Sequence, residues 1–311
     1  MSRSLIPLLL AAALAPAAAP PARVPLLLDT DIGDDIDDAL ALAVLLASPR
    51  ADLRGVTTVQ GDAYTRALVT CRLLYVAGRA DVPVASGSPP RARPESGKQL
   101  SYGLVPSPKR PLKEDAVTFL YRQLKARPGE LTVLAIGPLT NVAALFRRHP
   151  ECRPWVRRLV VMGGALRVGY DGKPPAAAEW NVKCDVAAAR AVLGAGVPLV
   201  LVPLDVTWDL RLEKKQVRKI LDHGSPLTDQ LAELFALWKG ETPVLFDPLA
   251  ALWCLDEGLC RLTPLRLRVD DDGRTRVVKG KPNAQVATAV RKREVLDRFV
   301  SLLSPAARPA R

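Results

Sequence analysis

The sequence predicts an α/β fold: a mostly parallel open sheet with helices on both faces and small antiparallel strands near the C-terminal end. Three observations carry that expectation. Short apolar, β-branched runs alternate with longer runs of helical periodicity up to residue 204, the pattern of strand–helix units around a parallel sheet. The first unit, LLLDTDIGDDIDDALALAVLL over 26–46, passes from a buried strand to a buried helix through a turn holding Asp29, Asp31, Asp34, Asp35, Asp37 and Asp38. No internal repeat or linker divides the chain, so residues 23–311 read as one domain with a helical insertion.

Taken in order, 26–28 is a strand and 39–46 a helix. The β-branched run 53–60 is a second strand, closed by Gly61-Asp62, and 63–76 is helical with Arg66 and Arg72 on its polar side. A short strand over 82–85 precedes a Pro- and Gly-rich segment, 86–111, that reads as a long loop. Helix 115–126, strand 131–136, helix 139–148 and strand 159–162 follow. A second long loop, 165–180, leads to helix 186–193 and strand 197–204. Helices are expected over 213–222, 226–239 and 246–255, then strands over 265–269, 275–278 and 285–289 and a last helix over 293–303.

Residues 1–22 have the pattern of a secretory signal: Arg3 at the start, an apolar stretch over 5–14 and small residues over 15–19. That stretch is shorter than the roughly 20 apolar residues a spanning helix needs, and no later one qualifies. The mature chain is expected to be secreted or periplasmic, without membrane insertion. Net charge is +12, from 44 Lys+Arg against 32 Asp+Glu, but the basic residues are scattered and aromatics make up only 5%. A basic, solvated surface fits this better than a nucleic-acid site, which needs clustered charge interleaved with stacking rings. Five cysteines without C-x-x-C spacing argue against a disulfide framework and a zinc site. Cys71 and Cys184 fall in apolar helical patterns as buried thiols, and one bridged pair stays open.

In a parallel sheet the carboxyl ends of the strands open on one side, where ligands bind. Those ends hold the acidic turn, Gly61-Asp62, 136–141, Met162-Gly163-Gly164 and Asp205-Val206-Thr207, with Glu179-Trp180-Asn181 in the loop after Gly164 and Phe246-Asp247 at another helix start. So many carboxylates repel one another unless a cation sits among them, and all-oxygen ligands favour Ca²⁺ or Mg²⁺. A cation among many oxygen acceptors suits a polyol such as ribose. An EF-hand loop counted from Asp29 fails, because its sixth and twelfth positions are Asp34 and Leu40 rather than Gly and Glu. The D-x-D after a strand is also similar to phosphatases of the haloacid dehalogenase type, although Gly33 stands where those have Thr or Val.

These residues together resemble the inosine–uridine-preferring nucleoside hydrolase family, over about 24–303. The matching pieces are Asp29-Thr30-Asp31 with Asp37-Asp38-Ala39, Val56-Thr57-Thr58-Val59 with Gly61, Gly137-Pro138-Leu139-Thr140-Asn141, Val161-Met162-Gly163-Gly164, Ala178-Glu179-Trp180-Asn181 and Asp247-Pro248-Leu249-Ala250. The resemblance implies a nucleoside hydrolase-like α/β fold, a tightly bound Ca²⁺, and hydrolysis of the N-glycosidic bond of ribonucleosides to ribose and free base in purine and pyrimidine salvage. It also implies a nucleoside as the small-molecule partner and a homo-oligomer, dimer or tetramer. Carried over residue by residue, Asp31 is the catalytic base and a metal ligand, with Asp38, Asp247 and the Ile136 carbonyl as further ligands. Asp37, Glu179 and Asn181 hold the ribose hydroxyls, Met162 packs near the sugar, and Asp62, Lys173 and Phe246 lie on the substrate side. A cation makes nearby water more acidic, a carboxylate completes the deprotonation, and carboxylates stabilise the positive charge that builds on the sugar.

The departures are specific. Ile32 stands where the family has Pro, and two extra residues precede Asp37-Asp38. Aligning on Asp37-Asp38-Ala39 keeps the helix and Pro49 in register, whereas an ungapped alignment puts Asp34 and Asp35 in the metal shell. Asp62 and Lys173 stand at or near positions where Asn is usual. Phe246 occupies the place of a His that many relatives use as the acid for the leaving base. The two histidines, His149 and His223, read as surface or capping residues. Leaving-group activation is then expected to differ, through stacking on Phe246 with Trp180, Trp208 or Tyr102, or through a leaving group that needs no acid. The alternative functions are a catalytically weak extracytoplasmic riboside-binding relative and a metal-dependent phosphatase.

Overall fold

The computed structural model describes residues 22–87 and 99–306. Residues 1–21 of the signal expected over 1–22, and part of the expected loop over 86–111, lie outside the described residues. In chain order the strands are β1 (Val24–Thr30), β2 (Ala51–Thr58), β3 (Val84–Ser86), β4 (Thr132–Ala135), β5 (Arg158–Met162), β6 (Leu199–Val202), β7 (Cys260–Leu265), β8 (Leu267–Val269), β9 (Thr275–Val277) and β10 (Ala284–Val290). The helices are α1 (Asp37–Ala47), α2 (Ala63–Val76), α3 (Leu100–Leu104), α4 (Ala116–Ala126), α5 (Thr140–Arg148), α6 (Trp180–Cys184), α7 (Val186–Leu193), α8 (Leu204–Thr207), α9 (Lys214–Leu221), α10 (Pro226–Trp238), α11 (Phe246–Leu255) and α12 (Lys292–Leu303).

Among the described residues, eight strands form one sheet in the order β3-β2-β1-β4-β5-β6-β10-β7, and β8 pairs with β9 apart from it. Its pairs are parallel except β10 with β7. The chain runs outward from β1 to β2 and β3, then resumes on the other side of β1 with β4. Connections leaving the carboxyl ends of β1 and β4 therefore diverge and open a crevice between them. Successive side chains of a strand alternate faces. Leu26 and Leu28 pack with residues of α1, α2, α10, α11 and α12. Leu27 packs on the opposite layer, with α4, α5 and α7.

The expected mostly parallel sheet with helices on both faces and small antiparallel strands is present, with local differences. The strand expected over 197–204 is confined to Leu199–Val202, because Pro198 and Pro203 bracket it and cannot donate to a ladder. The piece expected over 265–269 divides at Arg266 into β7, in the main sheet, and β8, outside it. The last expected strand lies parallel to β6 and extends the main sheet. The short helix α3 falls within the expected loop 86–111, and α6 begins at the last residue of the expected loop 165–180. None of the five cysteines is in a disulfide, and Cys184 is only half-buried.

The pairing of β1 with β2 slips by one residue between Leu26 and Leu27, so that Leu27 faces Gly55 and Arg54 is the extra residue. Gly55 then lies against the Phe119 ring of α4, where an added Cβ would sit 2.3 Å from Cζ. Phe119 is fully buried and has little room to yield. Gly55→Ala is expected to destabilise the protein by about 1–3 kcal/mol through overpacking, seen as a lowered urea midpoint. Adding Phe119→Leu should recover part of the loss, and an unchanged midpoint for Gly55→Ala alone would refute the close approach.

Candidate active site

The crevice is floored by the end of β1. Asp29, fully buried, accepts hydrogen bonds on Oδ1 from the Thr57 hydroxyl at 2.6 Å and from Asn141 Nδ2 at 2.7 Å. Asn141 Nδ2 also reaches the Thr58 carbonyl at 3.0 Å, so one amide ties the ends of β1 and β2 to the start of α5. Burial raises the Asp29 carboxyl to about 6 against the pull of these two donors. Two residues on, the Asp31 carboxylate lies against Gly137, where a Cβ would come within 2.8 Å of Asp31 Oδ1. The glycine after β4 is thus what lets the two strand ends approach. Burial pushes Asp31 up to about 7; Arg66 opposes the rise, and Asp34 and Glu179 add to it.

Three more acids meet at helix starts. Asp37 and Asp38 lie in the first turn of α1 and Asp247 in the first turn of α11. A helix start presents unpaired N–H groups and the positive end of the helix dipole, a favourable place for negative charge. Each acid offers an oxygen within 4.8 Å of the others, and all three are buried. Asp38 accepts from the Thr30 hydroxyl, and Asp37 shares a hydrogen bond with Asp247. Burial first, then the charge of the neighbouring carboxylates, pushes all three well above the usual carboxylate range. Two carboxylates in hydrogen-bond contact must share a proton or a cation. The donors are all hard oxygens, so the set fits a hard divalent cation.

The buried positive charge beneath these acids is Arg66, on α2. Its guanidinium donates to the carbonyls of Gln60 at 2.9 Å, of Ile32 at 3.0 Å and of Asp31, and to the Asp34 carboxylate at 2.6 Å. Arg66 therefore pins the backbone of the acidic turn while balancing one acid. Gln99 Nε2 braces the same turn through the carbonyls of Asp34 at 3.1 Å and Asp35 at 2.8 Å.

Glu179 caps α6. Its carboxylate accepts from the backbone N–H groups of Asn181 at 2.9 Å, Gly164 at 2.8 Å and Val182 at 3.2 Å. Asn181 Nδ2 donates to the carbonyls of Ile136 at 2.8 Å and Met162 at 3.2 Å. Above them stand three rings. Tyr170 accepts the Trp180 N–H at 2.8 Å and meets Phe246 edge-on, with centroids 6.0 Å apart. The loop carrying Tyr170 passes Gly172 beneath the Trp208 ring.

Asp31, Asp37, Asp38, Ile136, Met162, Glu179, Asn181, Phe246 and Asp247, each singled out from sequence, line one cavity of about 310 Å³. Asp62 and Lys173 do not line it. Asp62 is the N-cap of α2, accepting from Thr65 N at 3.0 Å and from the Thr65 hydroxyl at 2.6 Å; the Lys173 side chain is exposed. Of the proposed stacking rings, Trp180 and Phe246 line the cavity and Trp208 and Tyr102 do not. Asp34 and Asp35 line it as well. Sequence reading missed Tyr170, which sits in an aperiodic loop, and placed Arg66 on the polar side of its helix. A signal for Arg66 existed: it shares a helical face with Ala63, Ala67 and Thr70, all buried.

The family model for inosine-uridine preferring nucleoside hydrolases matches residues 26–297. A pyrimidine-specific ribonucleoside hydrolase, RihA, from Citrobacter koseri is 30% identical over 298 residues, covering 86% of this chain and 94% of its own. Among solved structures, a plant nucleoside hydrolase, PpNRh1, superposes with a TM-score of 0.81 at 26% identity, covering 92% of this chain and 100% of its own. A purine-preferring ribonucleoside hydrolase from Gardnerella vaginalis gives 0.80 at 26% identity, covering 90% of this chain and 98% of its own. With this match spanning nearly all of the described fold, the chain belongs to the inosine–uridine preferring nucleoside hydrolase family, hydrolases that act on N-glycosyl compounds.

Proposed function

We propose that this cavity hydrolyses ribonucleosides to ribose and free base with Ca²⁺ as its resident ion. The observation that carries the reading is the set of four buried acids, Asp31, Asp37, Asp38 and Asp247, facing a cavity of about 310 Å³ in the β1–β4 crevice. Asp31, Asp38, Asp247 and the Ile136 carbonyl are the proposed ligands. The ion supplies a positive charge that neutralises the acids and makes an adjacent water more acidic.

The chain's own groups do the rest. Asp31, held against Gly137 and raised toward neutrality by burial, is placed to take the proton of the attacking water. Asp37 and Glu179 accept from ribose hydroxyls. Asn181, with its amide nitrogen committed to backbone carbonyls, keeps Oδ1 for a hydroxyl donor. As the C1′–N bond lengthens, the carboxylates stabilise the positive charge on the sugar without having to reorganise. Burial of the floor keeps bulk water from screening them. Residues 1–22 make export part of the proposal, and no described helix is long and apolar enough to cross a membrane.

Asp31→Asn is expected to lower kcat/KM on a cleaved ribonucleoside by about 10²- to 10⁴-fold while the circular dichroism spectrum stays native. Gly137→Ala, which presses on Asp31, should cost on the order of 10²-fold with a small change in melting temperature. A calcium chelator should abolish turnover and added Ca²⁺ restore it. Independently of activity, Ca²⁺ at a hundredfold excess over its Kd should add about 2.7 kcal/mol of stability, and the doubly substituted Asp38→Asn/Asp247→Asn protein should lose that gain. A melting temperature insensitive to Ca²⁺ in the native sequence would refute the ion site.

A further inference from the structure

The amino ends of the parallel strands meet on the side of the sheet away from the active site, and arginines gather there. The strand order β2-β1-β4-β5 brings together Arg50, just before β2, Arg23, just before β1, and Arg157 and Arg158, at the start of β5. Their backbones are tied into the sheet. The Val24 N–H donates to the Arg50 carbonyl at 2.8 Å, and the Arg157 N–H to the Leu131 carbonyl at 3.1 Å. Leu255, at the end of α11, and the following Asp256 and Glu257 complete the wall of a cavity of about 490 Å³. That size falls within the range of roughly 300–1,000 Å³ usual for small-molecule sites. The first turn of α11 carries Asp247 and its last turn borders this cavity, so the two cavities lie at opposite ends of one largely buried helix.

The charges around this cavity do not balance. Arg158 Nη1 donates to Glu257 at 2.6 Å, with its guanidinium carbon 5.1 Å from the Trp253 ring centroid. Asp256 is taken by Arg298 of α12 and by the Gly258 N–H at 3.0 Å; Arg50 acts on it from beyond ion-pair reach. Arg23 Nη2 donates to the Ala51 carbonyl at 3.0 Å. Among the described residues Arg23, Arg50 and Arg157 have no carboxylate partner, and no acid besides Asp256 and Glu257 lines the cavity. Arg50 Nε is buried and makes no hydrogen bond, a costly state for a charged donor. The cavity lined by Arg190, Arg266 and Arg268 differs: there Arg190 pairs with Asp271 and Arg268 with Asp270.

We infer that this cavity is a second binding site, for the phosphate group of a small soluble metabolite held among the Arg23, Arg50 and Arg157 guanidinium groups. A guanidinium presents paired N–H donors that match phosphate oxygens two at a time, and converging positive charges concentrate anions. Turning the Arg50 guanidinium onto a phosphate gives its Nε the acceptor it lacks. The cavity has more room than a bare phosphate fills, and Pro25 and Leu255 offer an apolar wall to the organic part of the molecule. A concave site of this size suits a soluble phosphate ester rather than the flat surface of an anionic membrane.

The test is calorimetric titration of the full exported chain with ribose 5-phosphate and with phenyl phosphate. Free ribose is present in excess, so that sugar recognition at the active site does not contribute. NaCl is held at about 0.15 M, where exposed charges are screened beyond ~8 Å. Saturable binding of one equivalent of each ester is expected. Arg157→Gln and Arg50→Gln should each weaken it about tenfold or more. Arg50→Lys, which keeps the charge and loses the fork, should weaken it as well, with the circular dichroism spectrum and melting temperature native. Arg268→Gln, in the other basic cavity, should leave it unchanged. Absence of saturable binding overturns the site, as does binding that survives the combined Arg50→Gln/Arg157→Gln substitution. Binding to phosphatidylglycerol vesicles without binding to either ester also overturns it, by moving the phosphate to a membrane.

Discussion

The constraint on which the rest depends is the crowding of carboxylates in a place with little water. Asp29, Asp31, Asp37, Asp38 and Asp247 are all at most 6% exposed, and each is pushed upward by burial before any neighbour acts. Left uncompensated, such a set would neutralise itself by taking up protons. The fold supplies partial compensation from several directions. The starts of α1 and α11 point their positive ends at three of the acids. Thr30, Thr57 and Asn141 donate to Asp38 and Asp29. Arg66 brings one full charge and commits it to Asp34, a half-buried acid of the turn. What remains is net negative, which is the physical reason for an ion.

The rest of the chain holds those groups still. Leu26, Leu27 and Leu28 are fully buried on alternate faces of β1, so the strand that delivers Asp29 and Asp31 cannot slip without exposing its core side chains. The floor is therefore carried by strand ends and helix starts. The rings arrive on the loop after β5 and at the starts of α6 and α11. A rigid frame that presents variable segments at the carboxyl ends of its strands is the usual division of labour in such sheets.

Much of this was readable in the sequence because it is local. An apolar run broken by Asp29 and Asp31 and resumed at Ala39 marks a strand, a turn and a helix without any tertiary information. The Gly137-Pro138-Leu139-Thr140-Asn141 run signals a tight passage into a helix. What escaped depended on contacts across the chain. The partnership of Arg66 with Asp34 joins α2 to a turn 32 residues earlier; the small-residue face that Arg66 shares with Ala63, Ala67 and Thr70 signals burial but not that partner. Tyr170 sits in a loop without periodicity, so only the path of the backbone shows that it reaches Phe246. Asp62 is the opposite case. An Asp three residues before Thr65 at a helix start is an N-cap by local rules, and that demand, rather than a ligand, takes both its oxygens.

Two of the rim rings are immediate chain neighbours of floor acids: Trp180 follows Glu179, and Phe246 precedes Asp247, each pair at a helix start. A peptide unit is planar and stiff, so a backbone shift that moves either residue also moves the acid beside it. On the proposed reading, recognition of the base and chemistry at the sugar share the backbone of these two dipeptides. A change of base preference reached through Tyr170, which adjoins no floor acid, would leave the sugar chemistry in place. The same change reached through Phe246 or Trp180 would carry a penalty in turnover, and the easier route to a new specificity in this scaffold runs through the loop after β5.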